Sequence, residues 1–214
     1  MIESTPSMTT PTDQHEPVEG DVPGVRTRLL TAAEDLFAEL GYFGVSTRVV
    51  AARVGINKAS LFHHFPSKTA LYDGVLLRAL DRIEVNPQDV GTGDDRVAWL
   101  EALVDTLTRN PATSRLLLRA LFEKDQIPRD DPSSADRIVE SLDRVLAMFR
   151  RAVRGSVNGR AVSAGELVQT LIGSTVFHYA SRGLGERILG ENIFEPEAIR
   201  RHKAHLRRLL GIEG

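Results

Sequence analysis

The sequence predicts an all-α protein of about nine helices, with an N-terminal three-helix head that contains a helix-turn-helix and a larger C-terminal helical body. Three observations support this prediction. Apolar residues recur at spacings of three and four along most of the chain; glycine, proline and N-cap residue types separate those stretches; and no alternating strand pattern persists. We therefore divide the chain into an N-terminal tail at 1–22, a head at 23–68 and a body at 69–214.

The N-terminal tail is predicted to be disordered, because it is rich in Thr, Pro, Glu and Asp and has almost no apolar residues. The head holds six Lys or Arg against three acids, a net charge of +3, and the body is neutral. The whole chain carries −2, so the head is its one net-positive segment. The tail carries −5, from five acids and no Lys or Arg: Glu3, Asp13, Glu16, Glu19 and Asp21.

The first helix of the head is expected from about Val25 to Leu40. Gly41 ends this helix, and a short link then leads to the next one. Apolar residues at three-four spacing mark the buried face of this helix: Leu29, Ala33, Leu36, Phe37 and Leu40.

The stretch Ser46–Lys68, STRVVAARVGINKASLFHHFPSK, predicts two short helices joined by a tight turn. Ser46 and Thr47 are N-cap residue types in front of the first helix, and Gly55 tolerates the left-handed backbone that ends a helix. A helix, a glycine-containing turn and a second helix form the outline of a DNA-binding helix-turn-helix.

The second short helix is expected over Lys58–Phe65, after Asn57 as its cap. Pro66 stops this helix, because proline cannot continue it, and Ser67 caps a fourth, longer helix. This fourth helix is long enough to link the head to the body.

Several residues of the helix-turn-helix have the chemistry of DNA contacts. Thr47 lies at a helix N-terminus, where hydroxyl and backbone N–H groups can hold a phosphate, and Arg48 can reach a phosphate or a guanine edge. Lys58, Ala59 and Ser60 begin the second helix with small or basic side chains, which a major groove accepts and a bulky acidic face would not enter.

The body is expected to consist of five helical segments that follow a loop at residues 84–95. Proline and glycine separate most of these segments, and the fourth of them is long and apolar. The segments run approximately over Asp95–Arg109, Ala112–Lys124, Ser134–Arg154, Ser163–Leu189 and Pro196–Leu210.

Residues 29–75 carry a series of short motifs at fixed spacing. They include an A-x-x-L-F first helix, a glycine followed by an aromatic residue, an Ala-Ala-Arg run, Val-Gly-Ile at the turn, Ser-Leu-Phe-His-His-Phe in the second short helix and Ser-Lys at the start of the fourth helix. In this combination the stretch resembles the TetR family of bacterial transcriptional repressors. The resemblance covers about a fifth of the chain in detail.

The resemblance implies which residues meet DNA. Lys58, Ala59 and Ser60 would face the groove, His63 matches a backbone-contacting position, and Lys68 matches a phosphate clamp. Phe62 stands where the family usually has Tyr, so it lacks the hydroxyl that commonly binds a phosphate, although its ring can still pack against sugar and backbone.

The resemblance also implies a homodimer through the last two helices that binds a double-stranded, pseudo-palindromic DNA operator. A small-molecule effector would bind inside the body and release the DNA, which makes the chain a repressor. The expected dimer contacts, with intramolecular core as the alternative, lie in the last two helices: Leu167, Leu171, Ile172, Thr175 and Tyr179, and in the last helix Ile199, Leu206, Leu209 and Leu210. The effector candidates, for each of which core packing is also the alternative, are Trp99, Phe122, Phe149, Phe177 and His178.

Other classes of function have less support. An enzyme is disfavoured, since the chain has no HExxH, no phosphate-binding glycine loop and no cysteine. His202 and His205 have a metal-like spacing, but the surrounding basic residues favour a solvated helix face. An architectural DNA binder without an effector would need little beyond the head. No cofactor or metal is expected, and the absence of an apparent signal peptide or membrane span makes the cytoplasm the expected location.

Overall fold

The computed structural model describes residues 24–84, 95–123, 125–128, 132–152, 156–157, 160–161, 163–209 and 211. The tail predicted to be disordered and most of the predicted loop at 84–95 lie outside these residues. The described part contains ten helices: α1 (Val25–Gly44), α2 (Thr47–Val54), α3 (Lys58–His64), α4 (Lys68–Ile83), α5 (Asp95–Arg109), α6 (Pro111–Glu123), α7 (Pro132–Ala152), α8 (Ala164–Ala180), α9 (Arg182–Leu189) and α10 (Pro196–Leu209).

The predicted helix starts in the head are confirmed by their caps. Ser46 Oγ accepts a hydrogen bond from the Arg48 N–H at 3.2 Å, and Asn57 Oδ1 accepts one from the Ser60 N–H at 2.8 Å. Gly55 ends α2 in the left-handed conformation, with φ of 77°. The residue types that predicted the turn between α2 and α3 therefore also stabilise it, as helix caps and as a left-handed glycine.

The body differs from the prediction in two places. The expected helix 163–189 is divided at Ser181, whose hydroxyl donates a hydrogen bond to the Phe177 carbonyl at 2.6 Å and whose own carbonyl accepts the Leu184 N–H that opens α9. The apolar pattern of the sequence continues through Ser181, so the pattern did not predict the break between α8 and α9. The predicted break near residue 156 holds two short antiparallel strands, β1 (Ser156–Val157) and β2 (Arg160–Ala161), with Ser156 opposite Ala161.

Two hydrophobic clusters form the interior, and α4 contributes to both. The head cluster is built from α1 to α4, and α6 and the segment after it add Leu116 and Ile127. The body cluster is built from α5, α7, α8 and α10, and Ile83 at the end of α4 belongs to it. The head cluster includes α4 residues up to Ala79, so it extends past the predicted domain boundary at residue 68. The domain boundary itself stays a prediction.

A buried carboxylate joins α1, α4 and α6. Glu34 is 4% exposed and accepts hydrogen bonds from Arg78 at 2.7 Å, from Arg82 at 2.6 Å and from the Thr113 hydroxyl at 2.8 Å. Burial alone would raise the pKa of the Glu34 carboxyl, but the bonds from Arg82 and Thr113 and the charge of Arg82 hold that pKa below its usual value. The charged carboxylate is therefore the stable form within the junction of head and body.

No helix in the described part of the chain combines the length and the apolar character of a membrane span.

We expect Glu34→Gln to lower the free energy of unfolding by about 2 to 3 kcal/mol near neutral pH, because three charge-assisted or buried hydrogen bonds lose their acceptor charge. Since the folded pKa is lowered, the wild-type advantage is complete above the unfolded-state pKa of about 4.3 and disappears as the pH falls through the folded pKa. Urea unfolding followed by circular dichroism measures both effects. Asp35→Asn, which changes an exposed carboxylate on the same helix, is the control, and an equal loss in that variant would contradict the prediction.

Candidate nucleic-acid interface

The helix α3 is held to the head by two buried side chains and presents its first turn outward. Leu61 and Phe65 are almost completely buried. Lys58 and Ala59 are exposed and Ser60 is partly exposed. A rigidly anchored helix with short and basic side chains at its outer start can enter a groove without a steric obstacle.

Phe62 has a position of its own on α3. Its ring is 37% exposed, and the Lys58 Nζ lies 5.4 Å from the ring centroid, within the range of a cation–π contact. The ring lacks the hydroxyl that would bind a phosphate, but it orients the amine of Lys58 along the helix surface. The predicted role of Phe62 in DNA binding is thus to support the Lys58 side chain.

At the start of α2, Thr47 and Arg48 point in different directions. Thr47 is 8% exposed, so its side chain packs inward, whereas Arg48 is exposed. The backbone N–H of Arg48 is already bound to the Ser46 hydroxyl oxygen. Of the two predicted residues, Arg48 has the accessible side chain.

Lys68, at the first position of α4, is held against an aromatic ring. Its Nζ lies 4.4 Å from the centroid of the Tyr42 ring, and partial burial lowers the pKa of the amine. The Tyr42 hydroxyl forms a hydrogen bond with Thr69 Oγ1 at 2.9 Å, which fixes the ring beside the start of α4. The amine is therefore oriented before any ligand is bound.

Two further groups of basic residues lie around this surface. His63 and His64 are both exposed in the last turn of α3, so His64 has no packed core position. The guanidinium of Arg26 lies 4.8 Å from the centroid of the Phe65 ring. The exposed predicted residues thus occupy three consecutive elements, α2, α3 and the start of α4, and carry the charges that phosphate contacts require.

The four effector candidates whose side chains are described have different surroundings. Trp99 belongs to the body cluster, Phe122 is 76% exposed on α6, and Phe177 is exposed on α8. His178 is half-buried on α8, and the side chain of Phe149 lies outside the described residues. The effector assignment of all five therefore stays a prediction.

His178 is stacked on His202, with ring centroids 4.0 Å apart. Burial and the neighbouring charge of His178 lower the pKa of His202 to about 3, so its ring is neutral at ordinary pH. The prediction that His202 lies on a solvated helix face is wrong, because α10 packs this ring against α8. Among the described residues, no group of three His, Cys, Asp or Glu side chains could hold a metal ion.

The predicted dimer residues of α8 lie mostly in the core. Leu171, Thr175 and Tyr179 are fully buried within the chain, so the intramolecular alternative holds for them. A different set of apolar side chains on these helices is exposed, and we call it the α8–α9 apolar surface: Phe177, Leu184, Ile188 and Leu189.

Sequence reasoning missed a connection between α6 and the end of α1. Glu123 Oε2 accepts the Tyr42 N–H at 3.0 Å, and Arg119 donates to the carbonyls of Ala38 at 3.0 Å and Glu39 at 2.8 Å. Gly41 has φ of 73°, and a Cβ at this position would lie 2.6 Å from Glu123 Oε1. The glycine was recognisable in the sequence, but its partners are about 80 residues away along the chain.

Comparison with known proteins agrees with this geometry. Residues 29–75 match the family model described as bacterial regulatory proteins, tetR family. Over 84 residues the chain is 43% identical to the HTH-type transcriptional repressor KstR2 of Rhodococcus jostii, which covers 39% of this chain and 41% of that protein. The chain thus spans about two fifths of the length of this relative.

Two solved structures share the fold. The TetR family transcriptional regulator PfmR from Thermus thermophilus has a TM-score of 0.67 at 22% identity, over 90% of this chain and all of that chain. AibR, solved in complex with isovaleryl coenzyme A and operator DNA, has a TM-score of 0.58 at 20% identity, over 73% of this chain and 86% of that chain. At these identities the likeness establishes the fold alone.

Residues 29–75 therefore form a head domain of the tetR family of bacterial regulatory proteins, and the chain as a whole shares the helical fold of TetR-family regulators.

Proposed function

We propose that this regulator is a repressor that binds a pseudo-palindromic operator as a homodimer and leaves it when a small-molecule effector binds. The observation that carries this proposal is the exposed first turn of α3, where Lys58, Ala59 and Ser60 stand on the buried anchors Leu61 and Phe65. Short side chains that can approach base edges, next to an oriented phosphate-binding amine, are the combination that sequence-specific binding requires.

The relatives support the regulatory part of the proposal. The KstR2 relative is named a repressor, and AibR was solved with both a small molecule and operator DNA. This chain also has a large helical body next to its head, so we propose that the head binds DNA and the body binds the small molecule. The effector would act by binding one arrangement of the two heads more tightly than the other.

The α8–α9 apolar surface supports the homodimer. Four large apolar side chains are exposed on two successive helices, and Ile188 is 72% exposed. Large exposed apolar side chains grouped along one stretch of the chain are typical of an interaction site. A second copy of the chain would cover it and would place two heads at the separation of two operator half-sites.

Binding of the full-length protein to random and genomic duplexes tests the proposal. We expect enrichment of a pseudo-palindrome with half-sites about one helical turn, or a multiple of one, apart. Binding without sequence preference would favour the architectural alternative and would contradict the repressor proposal.

Lys68→Ala is expected to weaken binding to every duplex by a similar factor. Removal of one phosphate contact should also reduce the slope of log K against log salt by about one unit. Fluorescence anisotropy over a series of salt concentrations measures this slope. Arg137→Ala changes an exposed basic residue on α7 and is the control. If the slope for Lys68→Ala equals that of the control, Lys68 is not a phosphate contact.

Lys58→Ala should change which sequence is preferred, because this side chain stands at the groove-facing end of α3. We expect discrimination at one base pair to fall about tenfold, as for the loss of one base-edge contact. Comparison of the enriched sequences of the wild type and the variant measures this change. An unchanged preference with uniformly weaker binding would make Lys58 a phosphate contact instead.

Ile188→Glu is expected to produce a monomer of 23.6 kDa where the wild type sediments as a dimer. A carboxylate within the apolar interface would be desolvated without a partner, which opposes association. Val139→Glu, at an exposed apolar position on α7, should leave the dimer intact. Dimeric Ile188→Glu protein would exclude the α8–α9 apolar surface as the interface.

A further inference from the structure

An open cleft lies where the end of α1, the middle of α6 and the end of α8 come together. It has a volume of about 750 Å³ and is lined by residues that include Ala38 and Glu39 of α1, Arg115 and Phe122 of α6 and Ala180 of α8. This volume is within the range of small-molecule sites. The cleft borders the body cluster, because its lining residue Leu118 packs against that cluster.

One wall of the cleft carries a cation with an unsatisfied donor. The Nε of Arg115 is buried and has no hydrogen-bond partner among the described residues, and no ion pair joins Arg115 to any of them. Arg115 lines the cleft, so an acceptor within the cleft gains a charge-assisted hydrogen bond from its guanidinium. The acceptor that matches a guanidinium best is a carboxylate or a similar anion.

The other charges of the cleft are already engaged or face solvent. The Arg119 Nη1 donates to Glu123 Oε1 at 3.2 Å, and the second oxygen of Glu123 accepts the Tyr42 N–H. Glu39 is exposed, so water screens its charge. Among the described residues that line the cleft, Arg115 is therefore the cationic side chain that lacks a partner of opposite charge.

The cleft also has an apolar part. Leu118 and Phe122 of α6 and Ala180 of α8 line it, and the Phe122 ring is 76% exposed. An aromatic ring with so large an exposed area gains from contact with an apolar ligand. The cleft thus offers a cation and an apolar wall side by side.

We propose that this cleft binds an amphipathic anion, namely a carboxylate that carries an apolar tail. Arg115 takes the carboxylate, and Leu118 and Phe122 cover the tail. The charge of Arg115 selects the head group, while the apolar wall tolerates tails of different shape. This site deepens the proposed function by naming the chemical class of the effector.

The position of the cleft connects it with the DNA-binding surface. Its wall includes Arg119 and Glu123, the two side chains that tie α6 to the end of α1. Glu123 holds the backbone of Tyr42, and the ring of Tyr42 orients Lys68. An anion beside Arg115 also attracts Arg119, which weakens the tie to α1 and changes the position of the Lys68 amine. This consequence rests on the proposed function, whereas the binding site itself does not.

Calorimetric titration of the full-length protein with sodium decanoate tests the site without any DNA. We expect saturable binding to the wild type and about tenfold weaker binding to Arg115→Gln, because one charge-assisted hydrogen-bond pair is lost. Arg115→Lys should restore part of the affinity. Arg137→Gln, at an exposed position outside the cleft, is the matched control and should bind like the wild type. Decyltrimethylammonium, which has the same tail with the opposite charge, should not bind.

Several results would overturn the proposal. They are an absence of saturable decanoate binding to the wild type, equal affinity in folded Arg115→Gln, and equal binding of the cationic amphiphile. The alternative occupant of the cleft is a second copy of the chain. In that case Arg115→Gln and Phe122→Ala would lower the sedimenting mass, decanoate would not bind, and the proposal would be wrong.

The link to DNA is measured separately, with a duplex that the wild type binds specifically. Decanoate should weaken that complex for the wild type and leave the complex of Arg115→Gln unchanged. Decanoate binding through Arg115 without any effect on the DNA complex would overturn the link between the sites. If no duplex is bound specifically, the proposed function fails, while the calorimetric result still decides whether the cleft is a site.

Discussion

The buried carboxylate of Glu34 is the interaction on which the arrangement of head and body depends. It lies on α1, and its partners are two arginines of α4 and a threonine of α6. A buried charge is stable only while it is fully paired, so this group tolerates few relative positions of the three helices. Since α1 packs against the helix-turn-helix and α6 belongs to the body, the carboxylate determines how the two parts meet.

A second, weaker set of contacts lies further along the same two helices. Arg119 and Glu123 bind backbone groups at the kinked end of α1, where Gly41 leaves room for them. These contacts are partly exposed, so water can replace them at a lower cost than the bonds of Glu34. The junction therefore combines the buried Glu34 bonds, which are costly to break, with the Arg119 and Glu123 contacts, which are less costly to break. That difference supports the proposed ligand site in the cleft beside Arg119.

The proposed DNA-binding surface also combines packed anchors with oriented side chains. Aromatic rings under Lys58 and Lys68 orient the amines, and the buried anchors of α3 fix the helix that carries the first of them. Tyr42 serves both purposes, because its ring supports Lys68 and its backbone is bound by Glu123. Phe62, where the resemblance implies a tyrosine, has no hydroxyl but gives Lys58 an aromatic support.

Local sequence determined the helices of the head, their caps and the recognition helix, because Ser46, Gly55 and Asn57 act on backbone groups only a few residues away. It also marked the outward residues of α3, since anchors and exposed positions alternate with the period of the helix. The folded packing decided the rest. Thr47 is buried, and the His202 ring stacks on the His178 ring. The exposed apolar residues of the α8–α9 apolar surface differ from the residues expected at the dimer contact. Glu123 binds the backbone of Tyr42, which is 81 positions away in the sequence. These contacts join helices that are distant in sequence, and local periodicity cannot specify which faces of such helices meet.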